Sequence, residues 1–216
     1  MFDENTKKFL IKIFEEKLKD NITLLLYKGR ETNKFVNIVE DMLKELSNLS
    51  PKISYKEIDN RMANLLKLRL SPSVLFEKKK NIIYYGIPSG YEFRVFVDTL
   101  IDVSMNATEL PLNIAKEVAK IKENINILTF VTPNCPYCPI ASRSSFKFAI
   151  INDKIRSEVV EASEFQEFSM NFNVFAVPKT VVFINGEKVK EHNGMVNEFM
   201  LMKIIKDALE VYNGNL

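Results

Sequence analysis

Residues 124–138, which read NINILTFVTPNCPYC, contain both a predicted central strand and the cysteines of this chain. The first part is continuously apolar and rich in β-formers, as expected of a central strand that is covered on both faces. The last four residues hold both cysteines of the 216-residue chain, Cys135 and Cys138. A disulfide that closes so short a loop removes little entropy from the unfolded chain, so the pair is predicted to serve chemistry rather than stability.

The elements around this strand recur about 105 residues apart along the chain. A second apolar run, NITLLLYKG, occupies residues 21–29, and each run is preceded by an amphipathic helix and followed by another helix and a short strand. Pro72 and Pro178 then precede hairpins that end at Gly86 and Gly194. Each half therefore reads helix, strand, helix, strand, short helix, proline, hairpin, helix, an order that favours a right-handed parallel crossover followed by antiparallel strands.

This element order predicts an α/β protein made of two tandem thioredoxin-like folds, each a mixed β-sheet flanked by helices. The apolar spacing places Phe9 and Ile38 on the buried faces of the first two helices. The boundary is expected near MNATELP, residues 105–111, with Thr108 as an N-cap and Pro111 near the start of the next helix. The predicted units are residues 1–106, which contain no cysteine, and residues 107–216, which carry the Cys-Pro-Tyr-Cys motif.

Composition excludes several classes of function. The chain has 30 basic and 28 acidic side chains, and it shows no basic stripe interleaved with aromatic residues, so nucleic acid is not an expected partner. It has no apolar run of signal-peptide or membrane-spanning length. We therefore expect a cytoplasmic protein without a membrane partner.

A Cys-x-x-Cys pair in an otherwise cysteine-free chain indicates a redox dithiol or half of a metal site. Cys135 follows a buried strand and precedes a helix, where free backbone N–H groups favour an anion, so we assign it as the nucleophilic thiolate. Cys138, one turn further on and more buried, is assigned as the resolving cysteine. Pro136 suits the first helical turn, and Tyr137 is expected to modulate access to the sulfurs.

Pro178 stands at the entry to a strand, where a proline is typical of a bend or a sheet edge. In a thioredoxin-like fold it is instead expected to follow a cis peptide bond and to pack against the dithiol. The backbone of Val177 would then be exposed to pair with an extended substrate segment as an added strand.

The doubled unit, the CPYC motif and the AVP tripeptide at residues 176–178 resemble the protein disulfide oxidoreductase, or glutaredoxin-like, family of archaea and thermophilic bacteria. The resemblance implies dithiol exchange with protein disulfides and a thioredoxin reductase-like flavoprotein as electron donor, with no cofactor bound by this chain. It assigns Cys135 and Cys138 to the active dithiol, and Pro136, Tyr137, Val177 and Pro178 to substrate binding.

The sequence lacks features that this family and the thioredoxins often carry. Members often carry a second Cys-x-x-Cys in the first half, where this chain has Arg30, Glu31, Thr32 and Asn33. Thioredoxins also carry a buried carboxylate on the strand before the motif, whereas Thr129 stands six residues before Cys135. The proton acceptor for Cys138 is therefore left open between water and one of several carboxylates.

Other interpretations stay open at this point. Zinc needs about four ligands, and His192 with carboxylates would have to complete the set, so no metal site is predicted. A cluster shared by two chains is a further alternative. His192 is expected in a polar surface turn, Arg143 at a solvent-facing helix position, and Glu77–Asn81 in a solvated hairpin turn. The main functional alternatives are an electron-relay module resembling the N-terminal domain of alkyl hydroperoxide reductase flavoprotein subunits, and a non-catalytic peptide-binding or chaperone-like protein.

Overall fold

The strands of both halves join in one mixed β-sheet in the computed structural model, which describes residues 2–30 and 34–214. The elements of the first half are α1 (Glu4–Lys17), β1 (Ile22–Tyr27), α2 (Lys34–Leu49), β2 (Ile53–Glu57), α3 (Asn60–Leu65), β3 (Ser73–Phe76), β4 (Lys79–Tyr85) and α4 (Tyr91–Met105). Those of the second half are α5 (Leu112–Ala119), β5 (Ile125–Val131), α6 (Cys138–Ile151), β6 (Ile155–Glu161), α7 (Gln166–Met170), β7 (Lys179–Ile184), β8 (Glu187–Asn193) and α8 (Glu198–Gly214).

The described residues contain eight strands in the order β2-β1-β3-β4-β6-β5-β7-β8. Within each half the first strand pairs in parallel with the second and antiparallel with the third. The two halves meet where β4 pairs in parallel with β6, from Ile82 opposite Ser157 to Tyr85 opposite Val160. The predicted fold class, α/β with thioredoxin-like mixed sheets and flanking helices, is confirmed, and the sheet runs continuously from one half into the other.

Helices cover both faces of this sheet. The larger core lies on the face covered by α1, α2, α4, α5, α6 and α8, and it includes both cysteines. The smaller core lies on the face of α3 and α7, where Phe130 of β5 contacts the rings of Phe168 and Phe172. Both halves contribute to both cores, because the β4–β6 pairing places their helices side by side.

Several local predictions were wrong. Phe9 and Ile38 are 50% and 37% exposed, and Val36 occupies the buried face of α2 instead of Ile38. Thr108 does not cap α5: the N-cap residue is Pro111, without a side-chain hydrogen bond. Residues 106–111 connect α4 to α5, and the division into units 1–106 and 107–216 stays a prediction.

Glycine is required where α4 begins. Gly90 has a φ of 58°, a region that side chains with a Cβ rarely adopt. A Cβ at this position would collide with the carbonyl oxygen of Pro133, in the loop that leads to Cys135. The absence of a side chain therefore lets the start of α4, from the first half, approach the cysteine loop of the second half.

Candidate active site

Cys135 and Cys138 form a disulfide at the carboxyl end of β5, with their Cα atoms 5.4 Å apart. Residues 132–137 turn away from the strand, and Cys138 is the first residue of α6. Cys135 is 8% exposed and Cys138 is fully buried. The burial difference that was predicted from the position of each cysteine is therefore present.

The helix starts later than predicted. Pro136 and Tyr137 lie in the turn before α6 and are exposed, whereas the first helical turn contains Pro139. The backbone N–H of Cys138 donates a hydrogen bond to the Sγ of Cys135, at 3.1 Å. This orphan N–H of the helix start therefore points at the sulfur that is predicted to carry the negative charge.

The peptide bond between Val177 and Pro178 is cis, as predicted. The next residue, Lys179, pairs with Phe130 near the carboxyl end of β5, so Pro178 lies beside the loop that carries Cys135. Val177 packs against the larger core, which also contains both cysteines. A second cis bond joins Ser71 to Pro72 at the corresponding position of the first half.

A buried carboxyl group from the first half reaches the cysteine helix. Glu92, in the first turn of α4, is 1% exposed, and the hydroxyl of Ser142 donates to its Oε2 at 2.8 Å. The same hydroxyl lies 3.1 Å from the carbonyl oxygen of Cys138. Burial raises the pKa of Glu92 to about 7, although the hydrogen bond from Ser142 opposes this shift.

Sequence reasoning missed Glu92. The residue lies 43 positions before Cys135 in the other half, and a glutamate in the first turn of a helix is typically a solvated partner of the helix dipole. The sequence offered one signal, Gly90, two residues before Glu92. A glycine permits two backbone segments to approach closely, but it does not show which segment approaches. Thr129 stands where thioredoxins carry the buried carboxylate. It is buried, and its hydroxyl has no hydrogen-bond partner within the described residues.

An open, mostly apolar cavity of about 450 Å³ lies between α4 and α6, and it extends to the residue that follows Cys135. Its lining includes Tyr91 from the first half and Pro136, Pro139 and Ile140 from the second. Tyr91 and Ile140 are 56% and 38% exposed, and Tyr137 on the neighbouring turn is 60% exposed. Apolar surface from both halves therefore lies next to the turn that carries Cys135.

Arg143 does not face solvent as predicted. Its guanidinium lies 2.5 Å from the carboxylate of Asp102 on α4, and both side chains are largely buried. The prediction failed because it treated α6 as a surface helix of one unit, whereas α4 of the other half packs along it. Arg143 therefore joins the two halves.

His192 does not lie in a turn. It is part of β8, opposite Thr180 of β7, and is partly buried. Among the described residues no group of three or more histidine, cysteine, aspartate or glutamate side chains is arranged to hold a metal ion. No helix in residues 2–30 and 34–214 is long and apolar enough to cross a membrane.

The segment of the first half that corresponds to the cysteine motif is only partly described. Arg30 is exposed and follows the glycine that ends the apolar run, three residues after the end of β1. Glu31, Thr32 and Asn33 lie outside the described residues. The hairpin segment from Glu77 to Asn81 has its turn at Glu77 and Lys78, and Asn81 already belongs to β4.

The chain is similar in sequence to known proteins. Residues 123–206 match the family model described as a thioredoxin domain. The F subunit of alkyl hydroperoxide reductase from Staphylococcus aureus (strain NCTC 8325 / PS 47) is 28% identical over 153 residues, which cover 69% of this chain and 28% of that protein. The chain thus spans less than a third of this curated relative.

Two solved structures match nearly the whole chain. A protein disulfide oxidoreductase from Aeropyrum pernix K1 has a TM-score of 0.84 at 24% identity, with 97% of this chain and 95% of the other covered. The NTD_N/C domain of alkylhydroperoxide reductase AhpF from Enterococcus faecalis (V583) has a TM-score of 0.82 at 24% identity, with 94% and 99% covered. These matches show that the chain has a thioredoxin-like fold.

Proposed function

We propose that this thioredoxin-like chain is a thiol-disulfide oxidoreductase that exchanges its Cys135/Cys138 pair with disulfides of other proteins through a mixed disulfide. The observation that carries the proposal is the disulfide at the start of α6, in which Cys135 is 8% exposed and Cys138 is fully buried. Glu92, a buried carboxyl group, lies one hydroxyl away from the backbone of Cys138. The proposal assigns Cys135 as the nucleophile, Cys138 as the resolving thiol and Glu92 as the proton acceptor.

In the first step the thiolate of Cys135 attacks one sulfur of the partner disulfide. The partner S–S bond breaks, a new S–S bond joins Cys135 to the partner, and the released partner thiolate takes a proton from water. The N–H of Cys138, which points at the Sγ of Cys135, stabilises negative charge on that sulfur before the attack.

In the second step the thiol of Cys138 transfers its proton to Glu92, and the resulting thiolate attacks the Sγ of Cys135. The mixed disulfide breaks, the Cys135–Cys138 disulfide forms, and the second partner thiolate leaves. The partner gains two electrons and the dithiol loses two. A pKa of Glu92 of about 7 suits this role, because proton transfer is most effective when the pKa of the acceptor lies near the working pH.

The surface around the sulfurs suits an extended polypeptide. Pro136 and Tyr137 are exposed beside Cys135, and the backbone before the cis bond at Pro178 is proposed to pair with the substrate segment. The apolar cavity between α4 and α6 would receive a side chain next to the substrate cysteine. Both halves then contact the substrate.

A second candidate function is an electron relay. It is favoured by the match over 153 residues to the F subunit of alkyl hydroperoxide reductase. In that role the dithiol would accept electrons from a thioredoxin reductase-like flavoprotein and pass them to one dedicated disulfide protein. The chemistry at Cys135 and Cys138 is the same, and only the range of partners differs.

Reduction of insulin, a generic disulfide protein, tests the proposal. With dithiothreitol as electron source the wild-type chain is expected to accelerate the reaction, and Cys135→Ser is expected to abolish the acceleration. Equal activity in Cys135→Ser would refute the mechanism. If the chain reduces insulin with dithiothreitol, and also with NADPH and a thioredoxin reductase, the result supports an oxidoreductase that acts on many protein disulfides. If it reduces insulin slowly but transfers electrons rapidly to a single peroxidase, the result supports the relay.

A further inference from the structure

The loop that delivers Glu92 is held at both of its ends by the second half of the chain. It runs over residues 86–90, between β4 and α4. At its start the N–H of Ile87 donates to the carboxylate of Glu164, at 3.1 and 3.3 Å to the two oxygens. At its end the N–H of Tyr91 donates to the carbonyl oxygen of Pro133, at 3.0 Å.

The position of Glu164 is set by a neighbouring buried carboxylate. Glu161, the last residue of β6, accepts hydrogen bonds from the hydroxyl of Ser163 at 2.5 Å and from the N–H of Glu164 at 2.6 Å. These bonds fold residues 161–164 into a tight turn next to Val131, which pairs with Glu161 at the end of β5. The turn directs the side chain of Glu164 towards the first half.

Gly86 allows the carboxylate to approach. Its φ is 91°, and a Cβ there would lie 2.7 Å from Glu164 Oε2 and 3.0 Å from the Cβ of Glu161. The backbone of the first half therefore lies directly against two glutamates of the second half. A residue with a side chain at this position would push the start of the loop away from them.

We propose that Glu164 is a positioning residue for the thiol-disulfide reaction: by accepting the N–H of Ile87 it fixes the 86–90 loop so that Glu92 meets Ser142 on the cysteine helix. The inference rests on the proposed function, in which Glu92 takes the proton of Cys138. Glu92 is only five positions after Ile87, so a shift at the start of the loop is transmitted to the start of α4. The fixed bond from Tyr91 to Pro133 then serves as the second anchor.

One ion pair between the halves lies away from this loop. Lys79 of β4 pairs with Asp153 at 2.7 Å, before β6, and therefore at the sheet edge away from the cysteines. That ion pair also joins the two halves, yet it does not hold the loop that leads to Glu92. A variant that lacks this ion pair therefore serves as a matched control for the loss of a contact between the halves.

The titratable groups around the loop are few. Tyr84 of β4 is buried, and burial together with the charges of Glu92, Glu161 and Glu164 raises its pKa well above the usual value. Burial raises the pKa of Glu164 to about 7, with Glu161 contributing in the same direction. A pH profile must therefore separate Glu92 from Glu164.

Dithionitrobenzoate, an aromatic disulfide, separates the two steps. When it reacts with the reduced full-length protein, it releases one coloured thiolate as Cys135 attacks and a second as Cys138 resolves. The rates of both phases are measured between about pH 5.5 and pH 8.5, where the proposed acceptor titrates. In the wild-type protein the second phase is expected to rise with pH, with an inflection near 7, and Glu92→Gln is expected to remove that inflection.

Glu164→Ala is expected to slow the second phase about tenfold and to move its inflection down by at least about one pH unit, because a loosened Glu92 becomes more solvated. The first phase should stay within about twofold of the wild-type rate. Glu164→Gln keeps an acceptor for the N–H of Ile87 and is expected to lose less than about threefold. Asp153→Ala should leave both phases unchanged.

The variants test the proton-acceptor role of Glu92 and the positioning role of Glu164 separately. If Glu92→Gln removes the inflection while Glu164→Ala leaves the second phase unchanged, the positioning role is overturned and the proton acceptor stands. If Glu92→Gln leaves the profile unchanged, the proton acceptor fails and the positioning role fails with it. Loss of the inflection in Glu164→Gln but not in Glu92→Gln would make Glu164 the titrating group and overturn both. Thermal unfolding by circular dichroism confirms that each variant is folded.

Discussion

The two halves of this molecule share an element order but differ in the segment after their first strand. In the second half β5 leads into the turn that contains the disulfide, and in the first half β1 leads to Arg30 and to residues outside the described range. Both halves keep a cis proline before the hairpin, at Pro72 and Pro178. The comparison indicates that the scaffold can be retained where the thiols are not.

The first half contributes to the site in another way. Its last helix, α4, brings Glu92 and Tyr91 to α6 of the second half. We infer a division of labour in which one half supplies the sulfurs and the other half supplies the proton acceptor and one wall of the cavity. The following predictions test that division, from the largest expected effect to the smallest.

Cys138→Ser should lower turnover of a protein disulfide by at least about a thousandfold, because the mixed disulfide on Cys135 loses its resolving thiol. The partner should stay attached, which mass spectrometry of the intact protein under non-reducing conditions would detect. Turnover at the wild-type rate would mean that resolution does not need the second half's buried thiol.

Glu92 should make stability depend on pH. Its pKa is raised from 4.5 to about 7 in the folded protein, so between these values the folded state keeps a proton that the unfolded state has released. The free energy of unfolding therefore falls as the pH rises through this window, by up to about 3 kcal/mol from this group. Glu92→Gln should remove that part of the slope, and urea unfolding at several pH values measures it.

A suitable control for this experiment is Glu15→Gln, which removes an exposed glutamate of α1. It should leave the slope of the unfolding free energy with pH unchanged. Identical slopes in Glu92→Gln and the wild-type protein would show that the first half does not place a carboxyl group with a raised pKa at the site.

Gly90→Ala should destabilise the protein by about 2 to 4 kcal/mol, because a positive φ and a collision with Pro133 coincide there. Gly186→Ala is the matched control, since Gly186 has a φ of 93° but no atom within 4 Å of the added Cβ. It should cost about 1 kcal/mol from backbone strain alone. Equal losses in the two variants would argue against a tight contact between α4 and the cysteine loop.

Asp153→Ala should change the free energy of unfolding by less than about 0.5 kcal/mol, because the carboxylate that pairs with Lys79 is 83% exposed. The measurement is chemical unfolding at moderate salt. A loss of several kcal/mol would mean that the halves are joined mainly by this edge rather than by the β4–β6 pairing and the core.

Much of the second half could be predicted from local signals. The apolar run of β5, the cysteine spacing and the proline before β7 each depend on nearby residues, and they predicted the position of the cysteines and the cis bond at Pro178. Two of the errors had a related cause. Ile38 was assigned from the periodicity of its own helix and Arg143 from its place on α6 alone, and such local arguments do not identify the element that packs against a helix.

The sequence by itself determined the repeated element order, the strands and the two cysteines with their unequal burial, because these depend on periodicity and on spacing along the chain. Only the tertiary structure decided that β4 pairs with β6 and that α4 packs along α6. That pairing brings Glu92 to Ser142 across 50 positions and closes one wall of the cavity beside Cys135. Such contacts depend on which sheet edges meet, and no local pattern in either half encodes that choice.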